Sequence, residues 1–169
     1  CGGSHLVYGV DHDIALLGKA ISNGYPMAAV IGRREIMQAA QDTFISSTYF
    51  TDRVGLVAAL ATIRKFKALE VEKTLIRNGE MIEAGWKQLA EKHGLKITTM
   101  GIKPLVLFSI KHDNEKEIKT LFIQEMLDRG FLSTMGYYAS LAHQPEDIAA
   151  YLSAVDEVFK LIAQAIKTN

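Results

Sequence analysis

The sequence lacks several features that mark whole classes of protein. Its single cysteine, Cys1, cannot form a disulfide within the chain, which fits a reducing compartment. Basic and acidic residues number 19 each, so no basic excess points to a nucleic-acid or anionic-membrane partner. No apolar run reaches transmembrane length, and the first residues lack the basic-then-apolar pattern of a signal segment. These absences predict a cytoplasmic protein with no nucleic-acid and no membrane partner.

Several kinds of functional site are also missing. The five histidines are scattered without the spacing of metal ligands, so no metal site is predicted. The Gly18-Lys19 pair does not belong to a phosphate-binding P-loop, because the required glycine spacing is absent. With 49% hydrophobic and 22% charged residues, the 169-residue chain is typical of one globular domain or two small ones.

Two short apolar runs mark the first part of the chain, at residues 14–19 and 27–32. Their length and the turn residues between them favour strands covered on both faces, as in α/β sheets. Buried helix stays an alternative, because periodicity does not separate the two for such short runs. The flanking segments are predicted as a loop over 1–13, a short helix over 33–40, a polar loop over 46–51 and a helix capped by Asp52.

The pattern changes near residue 70, where a second unit is predicted to begin. Residues 70–93 carry apolar side chains at helical spacing around Trp86, which we expect in a core, and Gly94 can end the helix. Gly79 and Gly85 lower the helix propensity, so packing must hold this helix. The rest is predicted as strands over 95–100 and 104–112, a helix over 115–130, a short strand over 131–135 and a last helix with Pro145 in its first turn. We expect a βαβα-type unit that can fold alone.

Lys19 stands at the end of the first apolar run and is followed by turn residues. A buried ammonium is unfavourable, and a desolvated lysine with a lowered pKa becomes a nucleophile for carbonyl groups. The alternative is an ordinary lysine whose amine reaches water. The residues alone favour this alternative, because Gly-Lys in a turn is a weak signal.

Three segments, in order, resemble the class III (fold type I) pyridoxal-phosphate aminotransferases. The first is the Lys19 segment, DIALLGKAISNGYPMAA, and the second is SSTYFTDRVGLVAALATI at 46–63. The third is the closing segment 127–159, in which LAHQPEDI is similar to the glutamate-1-semialdehyde aminomutase-like members. The resemblance implies an α/β fold: residues 1–69 would be the end of the cofactor-binding large domain. Residues 70–169 would be a connecting helix and the small C-terminal α+β domain.

The resemblance also implies roles for three residues. Lys19 would form the internal aldimine, a Schiff base, with pyridoxal 5'-phosphate and would move the proton of the substrate. Thr48, with Ser47 beside it, would bind the cofactor phosphate of the neighbouring subunit. The parent protein would then be a homodimer with a shared active site that acts on small amino and keto compounds. The alternative is that residues 46–48 only end a loop and cap a helix.

The sequence departs from the family pattern at two positions. FTDR at 50–53 stands where the family has Gly-Asn-Pro, and residues 133–144 contain no arginine to bind an α-carboxylate. The second departure favours an aminomutase-like or amino-sugar-type substrate.

The family's other cofactor ligands have no counterpart before Lys19. These are the aspartate that binds the pyridine nitrogen, an aromatic residue on the ring, and a Gly/Ser phosphate loop. We therefore expect the chain to be the C-terminal part of a longer enzyme and to be inactive alone. The alternative hypothesis is a non-catalytic dimerisation or scaffold module with a degenerate aminotransferase fold.

Three residues of the closing segment have open interpretations. His143 precedes a helix, and we expect it to contribute to the cap. Tyr137 and Tyr138 could line a substrate entrance or form a buried aromatic pair.

Overall fold

The computed structural model describes residues 3–168, except for the side chain of Ser4. Cys1, and the prediction made from it, lies outside the described residues. The chain divides into two compact units, Cys1–Glu70 and Val71–Asn169. The assignment of residues 1–69 and 70–169 to the two domains of a larger enzyme stays a prediction. No helix within the described residues is both long and apolar enough to span a bilayer.

The first unit is built around a two-stranded antiparallel sheet. Ile14 pairs with Gly32 and Leu17 pairs with Ala29. The elements in order are α1 (Ser4–Tyr8), β1 (Ile14–Leu17), a 3-10 turn (Lys19–Ser22), β2 (Ala29–Gly32), α2 (Arg34–Met37), a second 3-10 turn (Gln38–Asp42) and α3 (Arg53–Ala68).

Two predictions for this unit are wrong. The first residues include the short helix α1 rather than only a loop. Strands do form within the runs 14–19 and 27–32, as β1 and β2, but they are not covered: Leu16 is 80% exposed and Val30 is 52% exposed. The physical reason is that no further layer lies on the sheet within the described residues of this unit. Residues 46–51 are irregular, as predicted.

Helix α3 is anchored at its first turn. Asp52 caps it as predicted, because its carboxylate accepts a hydrogen bond from the Val54 N–H at 2.8 Å. Gly55 is buried, and a Cβ at this position would lie 2.5 Å from the Pro26 carbonyl oxygen. The backbone after the Lys19 turn and the first turn of α3 therefore approach too closely for any larger residue.

The second unit combines a three-stranded antiparallel sheet with three helices. Strand order is β3-β4-β5, and alternate residues of β4 are buried on the face that α4 and α5 contact. The elements in order are α4 (Val71–His93), β3 (Ile97–Ile102), β4 (Leu105–Ile110), α5 (Glu115–Asp128), β5 (Gly136–Tyr138) and α6 (Pro145–Thr168).

The core of the second unit is aromatic at its centre. Phe108 of β4 lies 4.6 Å from Trp86, 5.3 Å from Phe122 and 5.7 Å from Phe159, measured between ring centroids. Each such pair contributes about 0.5–1.5 kcal/mol beyond the burial of its area. Trp86 is fully buried, as predicted.

The order of elements after α4 is ββαβα, which is the order of the elements predicted one by one, although the type name βαβα leaves out one of the first two strands. The strand predicted over 131–135 is wrong, because β5 begins at Gly136, which pairs with Leu107. In the predicted segment only Thr134 makes a bridge, to Gly136. The long helix α4 is confirmed, and Gly94 follows it with φ +70°.

Candidate functional site

Lys19 adopts an unusual backbone conformation. It follows β1 and Gly18, opens a 3-10 turn, and has φ +51°. A non-glycine residue pays about 1–2 kcal/mol for this left-handed region. The turn is closed by hydrogen bonds from the Ile21 N–H to the Gly18 oxygen and from the Asn23 N–H to the Ala20 oxygen, both 3.2 Å.

The residues that follow hold the turn in place. Ser22 is completely buried, and its hydroxyl donates to the Tyr25 carbonyl. Asn23 and Gly24 also have positive φ, at +50° and +103°. Asparagine and glycine tolerate this conformation at little cost, whereas lysine does not. The strain of the turn therefore falls on Lys19.

The Lys19 side chain is exposed, as the residues alone favoured, and the desolvated setting of the other interpretation is not formed by the described part of the chain. The reason is the uncovered strand pair before it, which leaves the end of β1 open to water. Within residues 3–168, no hydrogen bond or ion pair engages the Lys19 amine. The amine is therefore accessible to a ligand from outside this unit.

Ser47 and Thr48 lie on the loop that leads into α3. The Ser47 carbonyl accepts from the Phe50 N–H at 3.1 Å, which places Thr48 in a tight turn. Both residues are exposed, and within the described chain neither hydroxyl has a hydrogen-bond partner. The alternative in which they cap α3 is wrong, because Asp52 is the cap.

The Lys19 turn and the Ser47–Thr48 pair are both connected to α3, the turn by contact and the pair by sequence. The 3-10 turn that Lys19 opens contacts α3, and the pair precedes α3 by a few residues. No hydrogen bond joins these three residues to one another in the part of the chain that the structure describes.

One feature near this helix was missed by the sequence reasoning. A shallow cavity of about 340 Å³ is lined by Tyr25, Arg53, Val54, Val57 and Ala58. The signal was present, since Arg53 belongs to the FTDR departure. The residue type of Arg53 does not by itself indicate that it lines a cavity.

In the second unit, His143 does not cap α6. The Gln144 N–H donates to the Asp147 carboxylate at 2.9 Å, and this pair forms the cap. The His143 ring instead bonds the Tyr137 hydroxyl through Nδ1 at 2.8 Å. Tyr138 is 69% exposed, so a buried aromatic pair is wrong for Tyr138.

Comparison with known proteins gives consistent matches along the chain. The model of the family described as "Aminotransferase class-III" matches residues 3–159. Aminopentol aminotransferase of Sphingopyxis macrogoltabida is 27% identical over 164 residues, which cover 96% of this chain and 38% of that protein. Glutamate-1-semialdehyde 2,1-aminomutase of Persephonella marina is 27% identical over 176 residues, covering 94% of this chain and 41% of that protein.

The fold of the chain also matches a solved structure. The FumI protein of Sphingopyxis sp. MTA144, in its PLP internal aldimine form, superposes with a TM-score of 0.90 at 25% identity. The superposition covers 97% of this chain and 40% of that one. This confirms the predicted fold class, a part of the α/β fold type I of the PLP-transferases.

The chain spans about two fifths of the length of these relatives. The relatives are aminotransferases and aminomutases, and enzymes of class III use pyridoxal phosphate. The family match extends over nearly all of the described residues, and the chain therefore belongs to the class-III aminotransferase family.

Proposed function

We propose that this chain supplies Lys19, Ser47 and Thr48 to the cofactor site of a pyridoxal-phosphate-dependent aminotransferase or aminomutase. One observation carries the proposal: Lys19 has a left-handed backbone and an exposed amine without a partner in the described residues. Glycine or asparagine would serve this turn better if it were only structural. A strained residue held in place by its surroundings is a recurrent property of functional sites.

The available side chains fit the cofactor chemically. An unpaired amine suits its aldehyde, and two hydroxyls without partners suit its phosphate. When bound, pyridoxal phosphate supplies a ring that stabilises the negative charge left as the amine-bearing carbon of the substrate loses a proton. Lys19 Nζ, as a neutral amine, would hold the cofactor and carry that proton to and from the carbon.

Ser47 and Thr48 would donate hydrogen bonds to the phosphate. Their exposure on the loop before α3 suits a ligand presented from outside this unit. This supports the expectation of a homodimer in which each subunit contributes to the site of the other.

The substrate is a small amino or keto compound, and an aminomutase-like reaction is the finer form of the proposal. The absence of arginine from residues 133–144 removes one means of binding an α-carboxylate. The two reactions differ in stoichiometry, because an aminomutase rearranges one substrate without a separate keto acceptor. Product analysis of the parent enzyme with and without a keto acid separates them.

The test is reductive trapping of the cofactor on the chain. The protein is incubated with pyridoxal phosphate, reduced with borohydride and digested, and the modified lysine is identified by mass spectrometry. We expect the modification at Lys19, with none at this position in Lys19→Asn. Lys67→Asn, which removes an exposed lysine of α3, is the matched control and should leave the Lys19 signal unchanged.

Modification spread evenly over the surface lysines, with no preference for Lys19, would contradict the proposal. In that case the non-catalytic dimerisation or scaffold module becomes the better account of the chain.

A further inference from the structure

A cluster of hydrogen-bonded side chains joins three elements of the second unit. The Tyr137 hydroxyl of β5 and Nδ1 of His143, which lies just before α6, are hydrogen-bonded at 2.8 Å. Their ring centroids are 5.3 Å apart. The buried Asn78 side chain of α4 donates to the His143 carbonyl at 3.3 Å. Residues 139–144, which connect β5 to α6, are therefore tied near their end to both β5 and α4.

The direction of the Tyr137–His143 hydrogen bond follows from Asn78. Burial raises the pKa of Tyr137, and a hydrogen bond from Asn78 opposes this effect. Such a bond lowers the pKa of a phenol when the phenol oxygen accepts it. The phenol proton then points to His143, so Tyr137 donates and His143 Nδ1 accepts. Because an imidazole nitrogen accepts only without a proton, the bond requires neutral His143 with its proton on Nε2.

The position of the cluster makes this hydrogen bond sensitive to pH. Tyr137 and His143 are both partly exposed and line an open cavity of about 610 Å³. Histidine takes up a proton between about pH 5 and pH 8. A proton from solvent can therefore reach the His143 ring without unfolding the unit.

The groups around His143 determine how the ring responds to a proton. Among the described residues that line the same cavity, the other titratable side chains are Tyr137, Tyr138, Asp147 and Tyr151. Phenols stay neutral and carboxylates stay charged over the range in which histidine titrates. The N-terminus of α6 carries a partial positive charge that opposes an imidazolium, whereas the Asp147 carboxylate in the first turn of α6 attracts one.

Protonation therefore changes the preferred partner of the His143 ring. The Tyr137 oxygen already accepts from Asn78, so it is a poor acceptor for a second donor. Asp147 Oδ2 accepts from the Gln144 N–H at 2.9 Å, and a carboxylate has capacity for further donors. A protonated His143 gains more from Asp147 than from Tyr137, because a charge-assisted hydrogen bond is stronger than a neutral one.

We propose that the Tyr137–His143 hydrogen bond is a pH-sensitive latch, which holds residues 139–144 on β5 while His143 is neutral and releases them when His143 is protonated. Protonated Nδ1 and the phenol face each other as two donors. The closed form is thus present above the titration range of histidine and is lost as the pH falls through it. Because both latch residues line the cavity, release alters one of its walls. The proposal concerns the second unit alone and does not rest on the role proposed for Lys19.

Hydrogen exchange of the full chain tests the latch. Its reporters are the amides of Ala142 and His143, which donate to the Ser140 hydroxyl and the Ser140 carbonyl, both at 3.2 Å. Exchange of peptides that cover residues 139–144 is followed by mass spectrometry at about pH 8 and about pH 5, and each rate is compared with the intrinsic rate of an unprotected amide. We expect the protection of this segment to fall roughly fivefold at the lower pH, as for the loss of one hydrogen bond.

Three variants separate the latch from a general effect of pH. In His143→Asn, the amide oxygen replaces Nδ1 as acceptor and takes up no proton, so protection should stay high at both pH values. Tyr137→Phe removes the hydroxyl and should give low protection at both. His112→Asn is the matched control: it changes an exposed histidine of the same unit outside the cavity lining and should respond to pH like the unmodified chain.

Circular dichroism of each variant verifies that the fold is retained, and peptides of β4 should keep their protection at both pH values. The proposal is overturned if residues 139–144 of the unmodified chain are equally protected at both pH values. It is also overturned if His143→Asn loses protection as the unmodified chain does, or if Tyr137→Phe still shows the fall.

Discussion

At the scale of single residues, Lys19 combines a cost to the fold with a chemical group that nothing in the described chain uses. Its φ of +51° is a strain that the neighbouring Asn23 and Gly24 avoid by residue type. If Lys19 has the proposed role, stability and function make opposite demands on this position.

Lys19→Asn should stabilise the first unit by up to about 1 kcal/mol, because asparagine enters the left-handed region more readily. The same change should abolish trapping of the cofactor at this position. Urea unfolding of the two chains measures the stability. Lys19→Val is the opposing control and should destabilise, because a β-branched residue fits positive φ poorly. A loss of stability in Lys19→Asn would contradict the strain argument.

Glu83 is the second residue whose environment makes a prediction. It is 9% exposed and accepts hydrogen bonds from Lys103, from Lys87 at 2.6 Å and from Thr99 at 2.8 Å. The bond from Lys103, followed by those from Lys87 and Thr99, lowers the pKa of Glu83 to about 2, against the opposing effect of burial.

Because the folded-state pKa lies below the usual value of 4.5, the ionised Glu83 stabilises the second unit above that value. This stabilisation should be lost as the pH falls from about 4.5 towards about 2. Urea unfolding monitored by Trp86 fluorescence at several pH values measures it. Glu83→Gln should flatten this part of the profile, whereas Glu91→Gln, which changes an exposed residue of the same helix, should not. Identical profiles for Glu83→Gln and the unmodified chain would refute the assignment.

At the scale of elements, α4 shows why a helix keeps glycines that lower its propensity. A Cβ at Gly79 would overlap the backbone carbonyl oxygen of Lys103. A Cβ at Gly85 would come to 2.7 Å from the methyl groups of Leu152, a flexible side chain. Gly79 therefore permits close approach of the Lys103 backbone, which cannot move aside. Gly85 permits close approach of the Leu152 side chain, which can.

Gly79→Ala should therefore destabilise the second unit by about 2 kcal/mol or more, since overpacking against backbone exceeds the gain in helix propensity. Gly85→Ala is the matched substitution on the same helix and should change the stability by less than about 1 kcal/mol, because Leu152 can adopt another rotamer. Thermal or urea unfolding with Trp86 emission as the signal compares the two. Equal losses of stability in Gly79→Ala and Gly85→Ala would contradict the distinction between a backbone neighbour and a side-chain neighbour.

The elements also show which features sequence patterns can predict. Helices α4 and α6 were predictable because their apolar stripes repeat over many turns. Whether β1 and β2 are covered was not predictable, since an apolar run such as 14–17 favours a strand but carries no information on the layers beside it. Strand β5 was misplaced because its position depends on pairing with Leu107 rather than on local residues.

The candidate site was predictable only in part. Lys19 was found through its resemblance to a family segment, not through its residue type or spacing. Its left-handed backbone could not be predicted, because lysine rarely adopts that conformation and no local preference signals it. Whether Ser47 and Thr48 bind phosphate stays a prediction.

At the scale of the whole molecule, burial is distributed unevenly between the two units. In the first unit, the described residues that are buried are Ser22, Gly55 and Ala59. The second unit has a continuous core that includes Trp86 and Phe159. The first unit also exposes many large apolar side chains, among them Leu6, Val10, Leu16, Val30, Phe44, Ile45, Phe50, Val57 and Leu60.

This difference in burial predicts that amide hydrogens exchange more slowly in the second unit than in the first. Amides of α4, β4 and the middle of α6 should exchange slowest, because they open only with the core of the second unit. Amides of β1 and β2 should exchange faster by orders of magnitude, since a two-stranded sheet without a covering layer is marginally stable. Exchange followed by mass spectrometry on peptides from each unit measures both. Equal protection of β1 and β4 would contradict this account.

The conformation of Lys19 also has an evolutionary consequence. Lysine codons differ from asparagine codons only at the third base, so one transversion converts the strained residue into one that suits the turn. Selection for a stable chain would favour that change in any lineage where the amine has lost its use. Under the proposed role, relatives that have lost the activity should therefore often carry asparagine at position 19, and relatives that retain the activity should keep lysine.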